Sequence, residues 1–322
     1  MRPKALIASL LMTLLLLAIS PTSGAQGKPF QMVFSPQWTA MAQFAGYYVA
    51  LDKGFYDEVG LDVKIVHPSV TQGVMEKINN GLCDVTTMPL SVAIKAFDDG
   101  VRLVNILQTS MNSAAMLISR RGTDPMNMPP GSKVLCLRAG LGLVSRCITQ
   151  KMGLDYEWVE AASCINLFVA GAVDATASRS FHEYYQLLQT GLVDPDGPSV
   201  YRFSDHGYNI QQDGLYVTRN FYRKHPKESQ AFAQASRRGW EWCAEHPEEA
   251  LEIVMEHVEA SRISTNRTLQ KLMLEEVLRL QVDKDSGVRE FRLRPDMVQT
   301  ASELMHSVGM IEREVTIKDL LP

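Results

Sequence analysis

The stretch Gln37–Tyr56, QWTAMAQFAGYYVALDKGFY, follows the short apolar run Met32, Val33 and Phe34, and its reading decides the fold. The apolar run predicts a buried strand. Phe44, Tyr47, Tyr48 and Leu51 then recur at helical spacing, and Lys53 with Gly54 places a cation and a glycine where a helix should stop. Between strand and helix stand an indole and two amides, Gln37, Trp38 and Gln43, where a plain turn would serve. In open α/β sheets, ligands bind in the crevice beyond the carboxyl ends of the strands. The junction therefore predicts a cleft wall, with Trp38 as its flat face.

Working outward, strand and helix keep alternating. Leu61, Val63 and Ile65 alternate with Asp62 and Lys64 as a strand, and Thr71 is placed to cap a helix carrying Val74, Met75 and Ile78. Val85–Met88 is a short strand, Ser91 a candidate cap, and Val101–Leu107 the next strand. After the Pro/Gly-rich stretch 122–131 the pattern repeats: strands at Val134–Leu137, Trp158–Val159 and Val173–Ala177, with helices after Gly142, from Cys164 to Gly171 and from Phe181 to Leu188. Such alternation predicts an α/β fold with largely parallel sheets. Two apolar runs, Ala115–Ile118 and Leu215–Thr218, are placed to cross between the two α/β units, and the chain beyond Pro226 reads as helices broken at His246-Pro247. The expected organisation is one lobe from 26–115 and 215–322 and a second from 116–214, joined by a two-strand hinge.

Composition narrows the function. Arg2 and Lys4, the apolar run from Ala5 to Ile19, and Ser23-Gly24-Ala25 have the layout of a secretory leader cleaved near Ala25. That run is short of the roughly 20 residues a spanning helix needs, and no comparable run follows. Without Arg2 and Lys4 the chain has 30 basic against 36 acidic residues, a formal charge of −6, which excludes a basic nucleic-acid footprint. The five cysteines, at 83, 136, 147, 164 and 243, match no zinc spacing. They read as buried small hydrophobes, with one bridge among Cys136, Cys147 and Cys164 as the alternative. No metal or cofactor is expected.

Several segments together resemble the solute-binding proteins of ABC importers, in the group that includes nitrate, sulfonate, taurine and thiamine-pyrimidine-precursor binders. They are Gln37-Trp38, the run Gln43–Ala50, Lys53–Tyr56, Gly60–Val63, the "G-x-x-D" steps Gly81–Asp84 and Gly171–Asp174, Asp213–Thr218, Gly239-Trp240 and His246–Ala250. The resemblance runs from Phe30 to about Val258. It implies a two-lobed periplasmic-binding-protein fold of type II that closes over one small ligand in the periplasm and delivers it to an inner-membrane permease.

The cleft candidates follow from strand ends. Gln37, Trp38, Gln43 and Tyr47 stand after the first strand; Met88 and Pro89 after a second; Ser110 after a third. In the second unit, Arg138 and Gly140 open a helix whose free N–H groups suit an anion. Phe181, His182 and Glu183 follow another strand, and the resemblance to pyrimidine-precursor binders implies an aromatic residue and a glutamate at that step. A carboxylate there can accept paired hydrogen bonds from an aminopyrimidine edge. Two ligand classes stay open: a pyrimidine-like heterocycle, which the aromatics and Glu183 favour, and a sulfonate, nitrate or aromatic carboxylate, which Arg138 and the glycine turn favour. A pyrimidine-synthase-like enzyme on the same fold is disfavoured. The return segment Tyr208–Leu215 lacks cysteine, Val85–Ser91 lacks lysine, and the chain has neither a Gly-x-Ser-x-Gly elbow nor His-Glu-x-x-His. The same closing fold in a sensor would look alike.

Overall fold

The computed structural model describes residues 28–68, 73–138, 140, 142–161 and 165–322. The leader and its cleavage site, the Thr71 cap and Cys164 lie outside the described residues. Ten strands run in chain order: β1 Phe30–Ser35, β2 Leu61–Ile65, β3 Val85–Pro89, β4 Leu103–Gln108, β5 Ala115–Ser119, β6 Lys133–Leu137, β7 Glu157–Ala161, β8 Ala175–Arg179, β9 Val200–Arg202 and β10 Asp213–Thr218. They form two five-stranded sheets, ordered β2-β1-β3-β10-β4 and β7-β6-β8-β5-β9. In the first, β1 is parallel to β2 and β3 while β10 runs antiparallel to β3 and β4. The second repeats the plan, with β6 parallel to β7 and β8 and β5 antiparallel to β8 and β9. The sheets are therefore mixed, not parallel throughout. One return strand lies antiparallel inside each.

The expected hinge also needs correction. β5 pairs only within the second sheet and β10 only within the first, so neither apolar strand crosses. Both are interior strands, covered on both faces, which is why they read as unbroken apolar runs. The crossings are the polar segments 109–114 and 207–212, bound through amide side chains. Thr109 and Ser110 donate backbone N–H to the Asp213 carbonyl at 2.9 and 3.1 Å. Gln108 Nε2 donates to the same carbonyl at 2.9 Å, Gln211 Nε2 to the Ser110 carbonyl at 3.2 Å, and Ser113 N to Asn209 Oδ1 at 2.8 Å. A crossing chain leaves its strand ladder, and amides that both donate and accept satisfy its buried backbone.

In the first unit the helices Ala45–Asp52, Pro226–Glu245, Pro247–Ala260 and Arg267–Leu280 cover the sheet. Pro226 and Pro247 each open a helix, as expected of a residue that lacks the N–H a first turn leaves unpaired. Ser91 is not a cap; the helix Leu90–Asp98 starts from Pro89. The helix Pro295–Ser307 packs against both Leu90–Asp98 and the second unit's Leu143–Lys151. Its Val298, Ala301 and Met305 share one apolar cluster with Ile94 and Ile148, so the two units adhere along this side. Cys83, Cys136, Cys147 and Cys243 are free, buried thiols, and burial pushes Cys83 and Cys147 up to about 12. Among the described residues no helix is long and apolar enough to cross a membrane.

Candidate functional site

The strand order reverses between β1 and β3 in one sheet and between β6 and β8 in the other. Each reversal leaves a crevice at the carboxyl ends. After β1 the chain turns through Gln37 and Trp38 into the short 3-10 turn Ala42–Phe44. The Gln37 backbone N–H donates to Thr87 Oγ1 on β3 at 2.8 Å, which fixes the turn across the crevice. Gln37 Nε2 then donates to Asp213 Oδ1 at 2.9 Å and Gln43 Nε2 to Asp213 Oδ2 at 2.5 Å. A carboxylate only accepts, so both amide NH2 groups must face it. That leaves Gln37 Oε1 buried beside Asp213 without a hydrogen-bond partner. Burial raises the Asp213 pKa above the usual range, and the two amides and the Arg179 guanidinium pull against that rise.

Trp38 is half-buried and packs against apolar clusters of both units, that of the first sheet and that built on β5, β6 and the helix Glu183–Gln189. Its carbonyl oxygen lies 2.6 Å from His67 Nδ1, while His67 Nε2 lies 2.9 Å from the Tyr48 hydroxyl. The carbonyl can only accept, so Nδ1 carries the proton and Nε2 accepts from the tyrosine. Burial lowers the His67 pKa, which keeps the ring neutral for this arrangement. Lys77 pins the same segment from behind, donating to Ser35 Oγ at 3.0 Å and to the Val66 carbonyl at 3.1 Å. Trp38 is thus held in place by polar support.

From the second unit β8 delivers Arg179 toward Asp213, close enough to lower its pKa. Glu183, 1% exposed, holds Arg179: its carboxylate accepts from Arg179 Nη2, from Nε at 3.2 Å and from the backbone N–H at 3.0 Å. His182 Nδ1 stands 3.2 Å from the same carboxylate. Burial alone would raise Glu183, but the charges of Arg179 and His182 outweigh it and hold the carboxylate ionised well below the usual range. Glu183 therefore orients Arg179, where the sequence reading had it meet a ligand directly. Between the units lies a cavity of about 10 Å³, lined by Pro89 and Ser91 on one side and Ser145, Ser178 and Arg179 on the other. That is about the room one water needs, so the units are closed on each other.

Of the sequence candidates, Gln37, Trp38, Gln43 and Pro89 converge on this interface, with His182 and Glu183 behind Arg179. Others do not. The Tyr47 ring is core, edge-on to Phe34 at 4.8 Å and to Trp240 at 5.6 Å, and only its buried, unpartnered hydroxyl comes near enough to Asp213 to feel that charge. Met88 is fully buried in a cluster with Val92 and Tyr216, on the β3 face away from Thr87. Ser110 belongs to the crossing segment and donates to the Asn112 carbonyl at 2.7 Å. Phe181 is buried against the first unit's core, with Ala114 and Leu280 in its cluster. Arg138 is exposed. Gly140, at φ +77°, sits against the first unit: a Cβ there would meet Val92 at 3.2 Å, so this glycine lets the two units touch. Asp213, Arg179 and His67 were missed. Asp213 had a signal, an acid directly before an apolar strand that returns to the crevice; His67 had none at sequence level.

Comparison with known proteins fits this geometry. A formylaminopyrimidine-binding protein of Halalkalibacterium halodurans is 23% identical over 270 residues, 77% of this chain and 78% of its own. The ligand-binding component of an ABC-type import system from Staphylococcus aureus superposes with a TM-score of 0.68 at 10% identity, over 91% of this chain and 96% of that one. The periplasmic aliphatic sulphonate binding protein of Escherichia coli gives 0.61 at 16%, over 91% and 97%. At these identities the structural likeness is one of fold, that of the periplasmic binding proteins. The model of one family, NMT1/THI5 like, matches residues 41–250, well over half of the sequence, and the chain belongs to that family.

Proposed function

We propose that this protein is the extracytoplasmic solute-binding component of an ABC import system, and that its ligand is a small nitrogen heterocycle presenting N–H donors, of the aminopyrimidine class. One observation supports the ligand class: Gln37 Oε1 is buried without a partner next to the Asp213 carboxylate, whose two oxygens each accept one amide bond and can accept a second. A buried acceptor left unpaired costs roughly 1–3 kcal/mol, and a ligand with adjacent N–H groups removes that cost. Trp38 supplies a flat apolar wall for the ring. The aminopyrimidine named for the curated relative has this chemistry. A sulfonate would meet the Asp213 charge, and Arg179, the nearest cation, is already held by Glu183.

In this reading the unit 116–214 closes on the rest, the leader near Ala25 is removed on export to the periplasm, and an inner-membrane permease takes the ligand. The chain is a carrier, with no catalytic step. Isothermal titration of the chain from Gln26 with formylaminopyrimidine and related aminopyrimidines should give saturable binding. Saturation by alkanesulfonates with no response to any pyrimidine would overturn the ligand class.

A further inference from the structure

Two helices start at the interlobe cavity, one from each unit: Leu90–Asp98 of the first and Leu143–Lys151 of the second. Each begins on a residue whose side chain cannot cap it, Pro89 in one case and Gly142 in the other. A first helical turn leaves its N–H groups without an acceptor inside the helix, and a serine, threonine or aspartate ahead of it normally supplies one. Leu90 N–H reaches the Gln212 carbonyl at 3.0 Å and Leu143 N–H the Gly140 carbonyl at 3.1 Å. The backbone N–H groups of Ser91 and Ser145, farther along the two turns, have no acceptor among the described residues.

The side chains of the same two serines point to a ligand independently. Ser91 and Ser145 are 3% and 4% exposed, and both line the cavity. Neither hydroxyl makes a hydrogen bond among the described residues, yet neither is sealed inside the protein. The Gly140 turn holds the two helix starts together, since a Cβ there would meet Leu143 at 3.1 Å and Val92 at 3.2 Å. Arg179 lines the cavity too, its charge balanced by Glu183, and no carboxylate lines it among the described residues. Uncapped N–H groups and a guanidinium only donate, and hydroxyls can donate. This side of the cleft is therefore a donor pole without net charge. It adjoins the acceptors at Asp213 through Gln212, which also lines the cavity.

We propose that the donor pole takes a neutral carbonyl oxygen, so that the preferred ligand is an N-acylated aminopyrimidine and not the free amine, with Ser91 and Ser145 as specificity-determining residues. This assignment rests on the aminopyrimidine reading of the cleft and adds the group at the ligand's other end. A carbonyl oxygen has two lone pairs and no proton, so it can accept one bond from each unit. The cavity has about the room of one water, which suits a single oxygen, and a carboxylate or phosphate would find no uncompensated cation there.

The test is calorimetric titration of the chain from Gln26 with formylaminopyrimidine and with the same pyrimidine carrying the free amine. The formyl compound should bind tighter by roughly tenfold or more. Ser91→Ala and Ser145→Ala should each shrink that ratio severalfold, whereas Asp213→Asn, at the acceptor pole, should weaken both compounds. Thermal melts of each variant check that the fold is retained. Equal affinity for the two pyrimidines, or an undiminished ratio in both folded serine variants, would overturn the donor pole while leaving the aminopyrimidine cleft in place. Binding of neither pyrimidine would overturn the cleft reading, and the donor pole with it.

Discussion

A carboxylate set away from bulk water is disfavoured in its charged form, and Asp213 is in that position, with its two amide donors only partly offsetting the burial. In the unfolded chain it ionises near the ordinary 3.8; in the folded chain it ionises at higher pH. The folded state therefore binds the extra proton in the window between, and the residue's favourable contribution, full below about 3.8, is lost as pH rises through the folded value. At neutral pH the empty protein carries that cost. Asp213→Asn should raise the melting temperature at pH 7 and flatten its pH dependence above pH 4. The amide can accept from one glutamine and donate to the orphan Oε1 of Gln37 once that side chain turns. The same variant should lose about 1.5–3 kcal/mol of aminopyrimidine binding, the worth of hydrogen bonds to a charged group. A variant less stable than the parent, or as tight a binder, would remove Asp213 from the site. Trp38→Ala tests the opposite wall. Trp38 is only half-buried, so its loss should cost less stability than the roughly 3–5 kcal/mol of a core tryptophan, while affinity falls about tenfold. A melt that collapses while affinity holds would make Trp38 a core residue.

At the scale of elements, the helices Ala45–Asp52 and Pro226–Glu245 cross where glycine meets glycine. A Cβ built on Gly239 would lie 2.0 Å from the Gly46 carbonyl oxygen, and one on Gly46 would strike the Trp240 ring at 2.3 Å. Neither helix can move away without opening the core that Tyr47, Phe34 and Trp240 fill. Gly239→Ala therefore forces overpacking against backbone, and a loss of about 1–3 kcal/mol or more is expected, read from chemical denaturation at unchanged slope; a neutral result would show that the crossing has slack. Elements of this kind were legible in the sequence because their signals are local. Leu61 and Val63 alternate with Asp62 and Lys64 on an edge strand, β2, whose burial alternates in the same way, and Pro226 and Pro247 start helices where their missing N–H costs nothing. β9 and the Arg219–Lys224 helix escaped notice because three residues, or six with only Phe221 and Tyr222 adjacent as rings, leave no period to read.

For the molecule as a whole, legibility declined for a physical reason. Two repeated α/β units could be read from alternation alone, but which strand belongs to which sheet depends on pairing between distant segments. The interior strands β5 and β10 thus passed for crossings, while the hydroxyl-rich 109–114 and the amide-rich 207–212, which do cross, gave no such signal. The site divides in the same way. Gln37, Trp38 and Gln43 stood out as polar and aromatic residues at a strand end. Glu183 instead turns back onto Arg179, four residues earlier, a pairing with no periodicity to announce it. The role of Gly140 depends on Val92, a distant partner that only the closed molecule brings in. That last contact gives a handle on closure. Val92, on the Leu90–Asp98 helix of the first unit, lies 3.2 Å from where a Cβ of Gly140 in the second would be, and the Pro295–Ser307 helix keeps the units together along the adjoining side. Val92→Trp leaves no room for the Gly140 turn, so the units should rest farther apart. Small-angle scattering should then show a larger radius of gyration than the parent, and aminopyrimidine affinity should fall because Arg179 is withdrawn from Asp213. A variant that scatters like the parent and binds as tightly would mean that closure is set elsewhere than at the Val92–Gly140 contact.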